Sequence, residues 1–154
     1  MGAFLPLTPG ELSGPPDVLL VSGDAYVDHP AWGAAVVGRV LQDLGYSVAI
    51  VAQPRWDRVD DFVALGRPRL FAGITSGNMD SMVSRYTAAR HKRDKDAYSP
   101  GGRVDLRPDR ALIPYTARAR QAFPGLPVVL GGVEASLRRF AHYDYWQDRI
   151  RGSI

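Results

Sequence analysis

The chain contains no cysteine. Disulfides, thiolate nucleophiles and cysteine-held zinc or iron-sulfur centres therefore lie outside the chemistry of this polypeptide. No apolar run approaches the roughly 18 residues that a membrane span needs. The opening MGAFLPLTPGELSGPP also lacks the basic-then-apolar layout of a secretory signal. A cytoplasmic protein without a membrane partner is expected from these absences. Neither GxGxxG nor GxxxxGK[ST] occurs, so the two common pyrophosphate cradles are missing as well. Lysine is scarce: seventeen of the nineteen basic residues are arginine, which suits bidentate contact with carboxylate or phosphate. A GC-rich coding bias accounts for the larger share of that preference.

What is present fits one folded unit. A chain of 154 residues that is 45% hydrophobic is long enough to bury a core and short for two domains. Its net charge of +3 conceals an asymmetry: residues 1–64 carry three arginines against eight acids, and the remainder sixteen basic residues against eight acids. The basic part favours an acidic partner, whether nucleic acid, a phosphorylated ligand or an acidic neighbouring domain.

Residues 1–16, with four prolines, three glycines and no hydrophobic period, read as an extended arm packed lightly or not at all, ahead of a single α/β sandwich over 17–154. The apolar run from Val18 reads as a buried strand. A helix follows on which Trp32, Val36, Val40 and Leu44 recur every four residues beside Val37 and Leu41, closed by Gly45. Strands are expected at Ser47–Ala52, Leu70–Ile74 and Pro127–Leu130. Further helices are expected at Val59–Leu65, through Met79, Met82, Val83 and Tyr86, at about Tyr115–Phe123 with Pro114 in the first turn, and at Val133–Phe140. Arg90–Pro108 has no period and reads as a partly ordered functional loop. This alternation predicts a doubly wound, mostly parallel sheet of the flavodoxin-like or Rossmann-like kind, one strand short of the usual set.

In such a fold the strand-end loops converge on one crevice. The candidates for contact with substrate or a neighbouring domain are Asp24, Tyr26, Asp28, His29, Gln53, Trp56, Thr75, Asn78, Asp80, Gly131, Gly132 and Glu134. Asp24, Asp28 and His29 have the residue types for acid-base work, since a neighbouring carboxylate raises a histidine pKa and fixes its tautomer. The competing reading has Asp28 capping the helix, His29 bonded locally and Pro30 in the first turn. The segments SGNMD and GGVE offer backbone amides for an anion, or form plain turns and caps. Near the end of the sequence, Arg138, Arg139, His142, Tyr143, Tyr145 and Trp146 interleave rings with basic groups. That set serves a single-stranded nucleic-acid platform or the docking of a neighbouring domain.

Five ordered blocks carry a family resemblance: GDAYVDHPAWG, VVGRVLQDLGYSVAIVAQPRW, RPRLFAGITSGNMDSMVSRYTA, DAYSPGG with RPDRA, and VLGGVEASLRRFAHYDYWQDRIRGSI. Over Asp17–Ile154 the chain resembles the N-terminal domain of the YgiQ-type radical SAM proteins. The resemblance implies a longer bacterial polypeptide in which a later TIM-barrel-like domain carries CxxxCxxC, binds a 4Fe-4S cluster and S-adenosylmethionine, and performs radical chemistry. With no cysteine here, neither cofactor is assigned to any residue of this chain, and the barrel of the same polypeptide is the expected partner. The layout is also similar to cobalamin-binding-like domains, but their DxHxxG motif is absent: Asp28 and His29 are adjacent, and Gly33 follows the histidine by four. The expectation is an accessory domain lining or covering the barrel's active site. The alternatives are a nucleic-acid-binding module of an RNA-modifying enzyme and a free-standing flavodoxin-like cofactor binder or hydrolase.

Overall fold

The computed structural model describes residues 4–154. Four short strands alternate with helices: β1 (Val18–Ser22), α1 (Gly33–Asp43), β2 (Val48–Ala52), α2 (Asp60–Val63), β3 (Phe71–Thr75), α3 (Ser81–Arg85), α4 (Leu112–Ala122), β4 (Val128–Gly131) and α5 (Gly132–Arg138). The strands form one sheet in the order β2-β1-β3-β4, every pair parallel. The doubly wound α/β class expected from the alternation is the class observed. The strand order reverses between β1 and β3, the place where a doubly wound sheet offers its ligand crevice.

Period-two alternation sends the two halves of each strand to different cores. Leu19, Val21, Ala49, Val51 and Ile74 pack with Phe62 of α2 and with Leu112, Tyr115 and Ala119 of α4. Val18, Leu20, Val48 and Ile50 face the side of α1, where Leu5 of the N-terminal arm joins them. Leu5 is fully buried and the Pro6 carbonyl accepts the Ile50 N–H at 2.9 Å. The arm is therefore integral to the core at this point, which corrects the light packing expected of a Pro/Gly-rich segment. Residues 1–3 of that arm lie outside the described residues.

Helix α1 buries a different face from the one its large residues predict. Ala35 and Gly38 are buried, whereas Val36, Val40 and Leu44 are 42%, 53% and 68% exposed. Close approach explains it: a Cβ on Gly38 would stand 2.4 Å from Leu5 Cδ1 and 3.5 Å from Leu20 Cδ1, so the helix rests on its small residues. Helix α4 starts three residues before the expected Tyr115 and keeps Pro114 in its first turn. Helices α2 and α3 are single turns, shorter than their apolar stripes suggest. The final segment folds into an antiparallel hairpin of β5 (His142–Asp144) and β6 (Arg149–Arg151), which the sequence pattern did not reveal.

Gly23, just past β1, lets the first loop lie against the third. Its N–H bonds the Thr75 carbonyl at 3.1 Å, and an added Cβ would sit 2.1 Å from the Ser76 carbonyl oxygen, a backbone atom that cannot swing aside. Gly23→Ala is expected to lower stability by about 1–3 kcal/mol, the range of core overpacking, as a reduced urea midpoint. Gly14→Ala, where the added methyl meets nothing within 4 Å, is the control. Equal midpoints would show that the two loops are not held together as described.

Candidate functional site

The polar residues at the strand ends are drawn into one buried network. Asp24 Oδ2 accepts the Asn78 N–H at 2.6 Å, and its Oδ1 accepts from Arg107 Nη1 at 2.8 Å. The same guanidinium donates to the Ser76 carbonyl at 2.9 Å, to Ser84 Oγ at 3.1 Å and to Asp96 Oδ2 at 2.8 Å. Asp96 also takes the Tyr98 N–H and the Ser99 hydroxyl, and Ser99 accepts from Gln53 Nε2 at 2.6 Å. One arginine from the long loop thus ties together residues beyond β1, β2 and β3. The Arg90–Pro108 segment is correspondingly pinned, with Tyr86 and Lys92 bridged and a 3-10 turn at Pro100–Gly102.

Charge in this network is unequal, with two carboxylates on one guanidinium. Burial pushes the Asp24 carboxyl up, reinforced by Asp96 and only partly opposed by the Asn78 amide and Arg107. Burial acts on Asp96 in the same sense, but Arg107, the Tyr98 amide and Ser99 outweigh it and hold Asp96 below the ordinary range.

A second set of carboxylates fastens helix starts. Asp80 caps α3, accepting the Met82 and Val83 N–H groups, and pairs with buried Arg138. Glu134, fully buried on α5, accepts the Ser81 N–H at 2.8 Å and the Leu112 N–H at 3.3 Å, serving the first turns of α3 and α4 together. Asp144 in β5 binds Arg110 at 2.6 Å and Arg151 at 3.4 Å, joining the hairpin to the start of α4.

The remaining candidates occupy simpler positions. Asp28 pairs with Arg39 of α1, which holds its carboxyl below the usual range. It does not cap the helix; Trp32 is the N-cap and makes no side-chain cap bond. His29 is exposed and accepts the Ala31 N–H at Nδ1, 3.1 Å away. Tyr26 receives the Leu5 N–H on its hydroxyl and anchors the arm, and burial raises its pKa. Asn78 spans to α1, donating to the Ala31 carbonyl and accepting from Gly33. Thr75, Asn78, Gly131 and Gly132 line the same groove as Asp24. Trp56 stands apart and is linked through its carbonyl to Arg118 of α4.

The amides offered by SGNMD are occupied. Asn78 N–H goes to Asp24 and Gly77 N–H to Thr75 Oγ1 at 3.2 Å, so an internal carboxylate fills the place of an external anion. Among the described residues no group of three or more His, Cys, Asp or Glu side chains is placed to hold a metal ion. In the final segment, Arg138 is committed to Asp80, with His142 beside it at 3.5 Å. Trp146 packs against Tyr86 with ring centroids 5.4 Å apart and the ring planes tilted by 40°. Tyr143, Tyr145 and Arg139 stay exposed; Arg90 lies 4.6 Å over the Tyr145 ring, and Arg139 lies 4.9 Å over that of Phe140. Sequence reasoning missed Arg107, Asp96, Arg110 and Asp144. The signal available for the first two was the unusual length of the loop that carries them.

Comparison with known proteins places the sequence in a family. The family model described as Radical SAM N-terminal matches residues 4–154. A UPF0313 protein of Methanosarcina mazei is 59% identical over 138 residues, covering 90% of this chain and 22% of its own length. UPF0313 proteins of Pseudomonas syringae pv. tomato and Rhodopseudomonas palustris are 56% and 52% identical, with 90% and 98% of this chain matched to 18% and 23% of theirs. The chain thus spans about a fifth of the length of these curated relatives. No solved structure matches it.

The paired carboxylates fix the sign of an acid response. Asp144, like Asp96, is held below the ordinary range: burial raises it, but Arg110, the Gln147 amide and Arg151 prevail. Such a group adds stability above its unfolded pKa, and that stability is lost as pH falls through the lower folded value. Asp24 runs oppositely, its contribution being full at low pH and lost as pH rises through its elevated folded value. The urea midpoint is expected to fall between about pH 5 and about pH 3. Asp144→Asn should lower the midpoint at neutral pH and flatten that fall; an unchanged slope would remove Asp144 from the account.

Proposed function

The chain belongs to the radical SAM N-terminal family, and from that membership we propose that it is the accessory domain of a radical SAM-type enzyme whose reacting centre lies in the rest of a longer polypeptide. The observation that carries this reading is the family match over 4–154, in relatives about five times as long. The use of the strand-end carboxylates agrees with it: Asp24, Asp80 and Glu134 are engaged in holding loops and helix starts together. The finer assignment within the family is the YgiQ type, supported by the five sequence blocks.

A 4Fe-4S cluster needs thiolate ligands, and a chain without cysteine does not supply them. The cluster and S-adenosylmethionine are accordingly assigned to the remaining polypeptide, and no reaction step runs through residues of this domain. Its contribution is to shape and cover, with the exposed His29 loop and the Tyr143 and Tyr145 hairpin as contact surfaces toward the barrel. No described helix is long and apolar enough to cross a membrane, and a cytoplasmic location is part of the proposal. The nucleic-acid reading of the basic tail has less support, because Arg138 is spent on Asp80 and Trp146 on Tyr86.

The whole polypeptide, reconstituted without oxygen from ferrous iron and sulfide, is expected to assemble a 4Fe-4S cluster and, once reduced, to cleave S-adenosylmethionine. In that protein His29→Ala should leave the iron content unchanged and slow the cleavage. A polypeptide that takes up no iron overturns the reading, and full activity in the His29 variant removes that loop from the contact surface.

A further inference from the structure

The α1 side of the sheet is uncovered over its second half. Alternation turns Phe71, Gly73 and Thr75 of β3 and Val129 and Gly131 of β4 toward that side, while Ile74, Val128 and Leu130 pack against the α4 side. The result is a groove of about 480 Å³ lined chiefly by Leu20, Val37, Leu41, Phe71, Gly73 and Val129. Its rims are apolar as well, with Val37 50%, Val129 52% and Val133 48% exposed. The apolar arc of α1 through Val36, Val37, Val40 and Leu41 is wider than the Ala35 and Gly38 face that the helix buries, with the polar arc at Arg39, Gln42 and Asp43.

We infer that this groove seats an amphipathic helix supplied by the remainder of the same polypeptide, as the helix of one further βα unit. The inference rests on the reading of the chain as one domain of a longer protein. Two neighbouring strands present a strip about 10 Å wide, the breadth of one helix. Gly73 keeps the floor of that strip low beside Leu20. Small-molecule sites carry several convergent polar groups within an apolar wall, but the carboxylate here, Asp24, already binds Arg107 and the Asn78 amide. That leaves the Trp32 Nε1 donor as the unpaired buried side-chain group of the lining among the described residues.

Topology selects the source of the helix. Right-handed crossovers that carry the chain from β3 to β4 place α4 on the opposite side. A helix leaving a new strand on the free β4 edge makes no further crossover and is free to fold back over β3 and β4. Relatives matched over only 18–23% of their length have ample polypeptide to provide it. Tethering gives that helix an effective concentration on the order of millimolar, above any plausible separate partner.

The test replaces Val129 with the photoreactive residue p-benzoylphenylalanine in the whole polypeptide, with the same replacement at Val63 on α2, across the sheet, as control. Irradiation is expected to join position 129 to a segment beyond residue 154 of the same molecule, at apolar positions three and four residues apart. The Val63 probe should not capture that segment. Joining of two copies, capture of another protein, or no product would each overturn the inference. Iron content of the same sample separates the two claims. A cluster-bearing protein that crosslinks between copies refutes the helix and leaves the accessory-domain reading intact. A cluster-free protein with the expected crosslink does the reverse.

Discussion

Arg107 is the constraint on which the strand-end half of the molecule depends. Its side chain is 4% exposed and meets Asp24, Asp96, Ser76 and Ser84 at once. A guanidinium in that position is stable only if its donors are satisfied, and removing one partner of a buried pair costs about 3–5 kcal/mol. Because its ligands come from the loops after β1 and β3 and from the long loop itself, their relative positions are fixed together. Through Ser99 and Gln53 the same constraint reaches the end of β2. The crevice at the switch point is therefore a braced structure, with carboxylates that neutralise an internal cation.

A similar economy governs the opposite edge. Glu134 serves two helix starts, Asp80 holds Arg138, and Asp144 joins the hairpin to α4 through Arg110. The buried carboxylates Asp24, Asp80, Glu134 and Asp144, of a type that would suit acid-base catalysis, are here used for architecture, and the groove on the α1 side is lined mostly by apolar groups. The exposed valines of α1 and β4, together with curated relatives about five times as long as the chain, are the observations on which the proposed covering helix rests.

The strands were legible because each is a short apolar run bounded by turn residues, and β1 through β4 lie within a residue or two of where the pattern places them. The doubly wound class followed from their alternation with helices. The face that α1 buries was not legible, since it is set by how closely Gly38 lets the helix approach Leu5 and Leu20 rather than by hydrophobicity along the helix. The β5 and β6 strands are three residues each, too short for a period to show. At the candidate site the sequence flagged Asp24, Asn78 and Glu134 as polar groups at strand ends. Whether such groups are free or spent depends on partners as many as 83 residues away, as with Asp24 and Arg107. One arginine among seventeen carries no local mark of that role.

A double-mutant cycle on Asp24→Asn and Arg107→Met, read from urea unfolding, tests the central claim most directly. Residues sharing a buried ion pair show coupling of about 0.5–3 kcal/mol. If Arg107 and Asp24 share a buried ion pair, the coupling is above about 1 kcal/mol, with the double variant far less destabilised than the sum of the single ones. Additivity within about 0.5 kcal/mol would contradict it and return Asp24 to the list of groups free for chemistry.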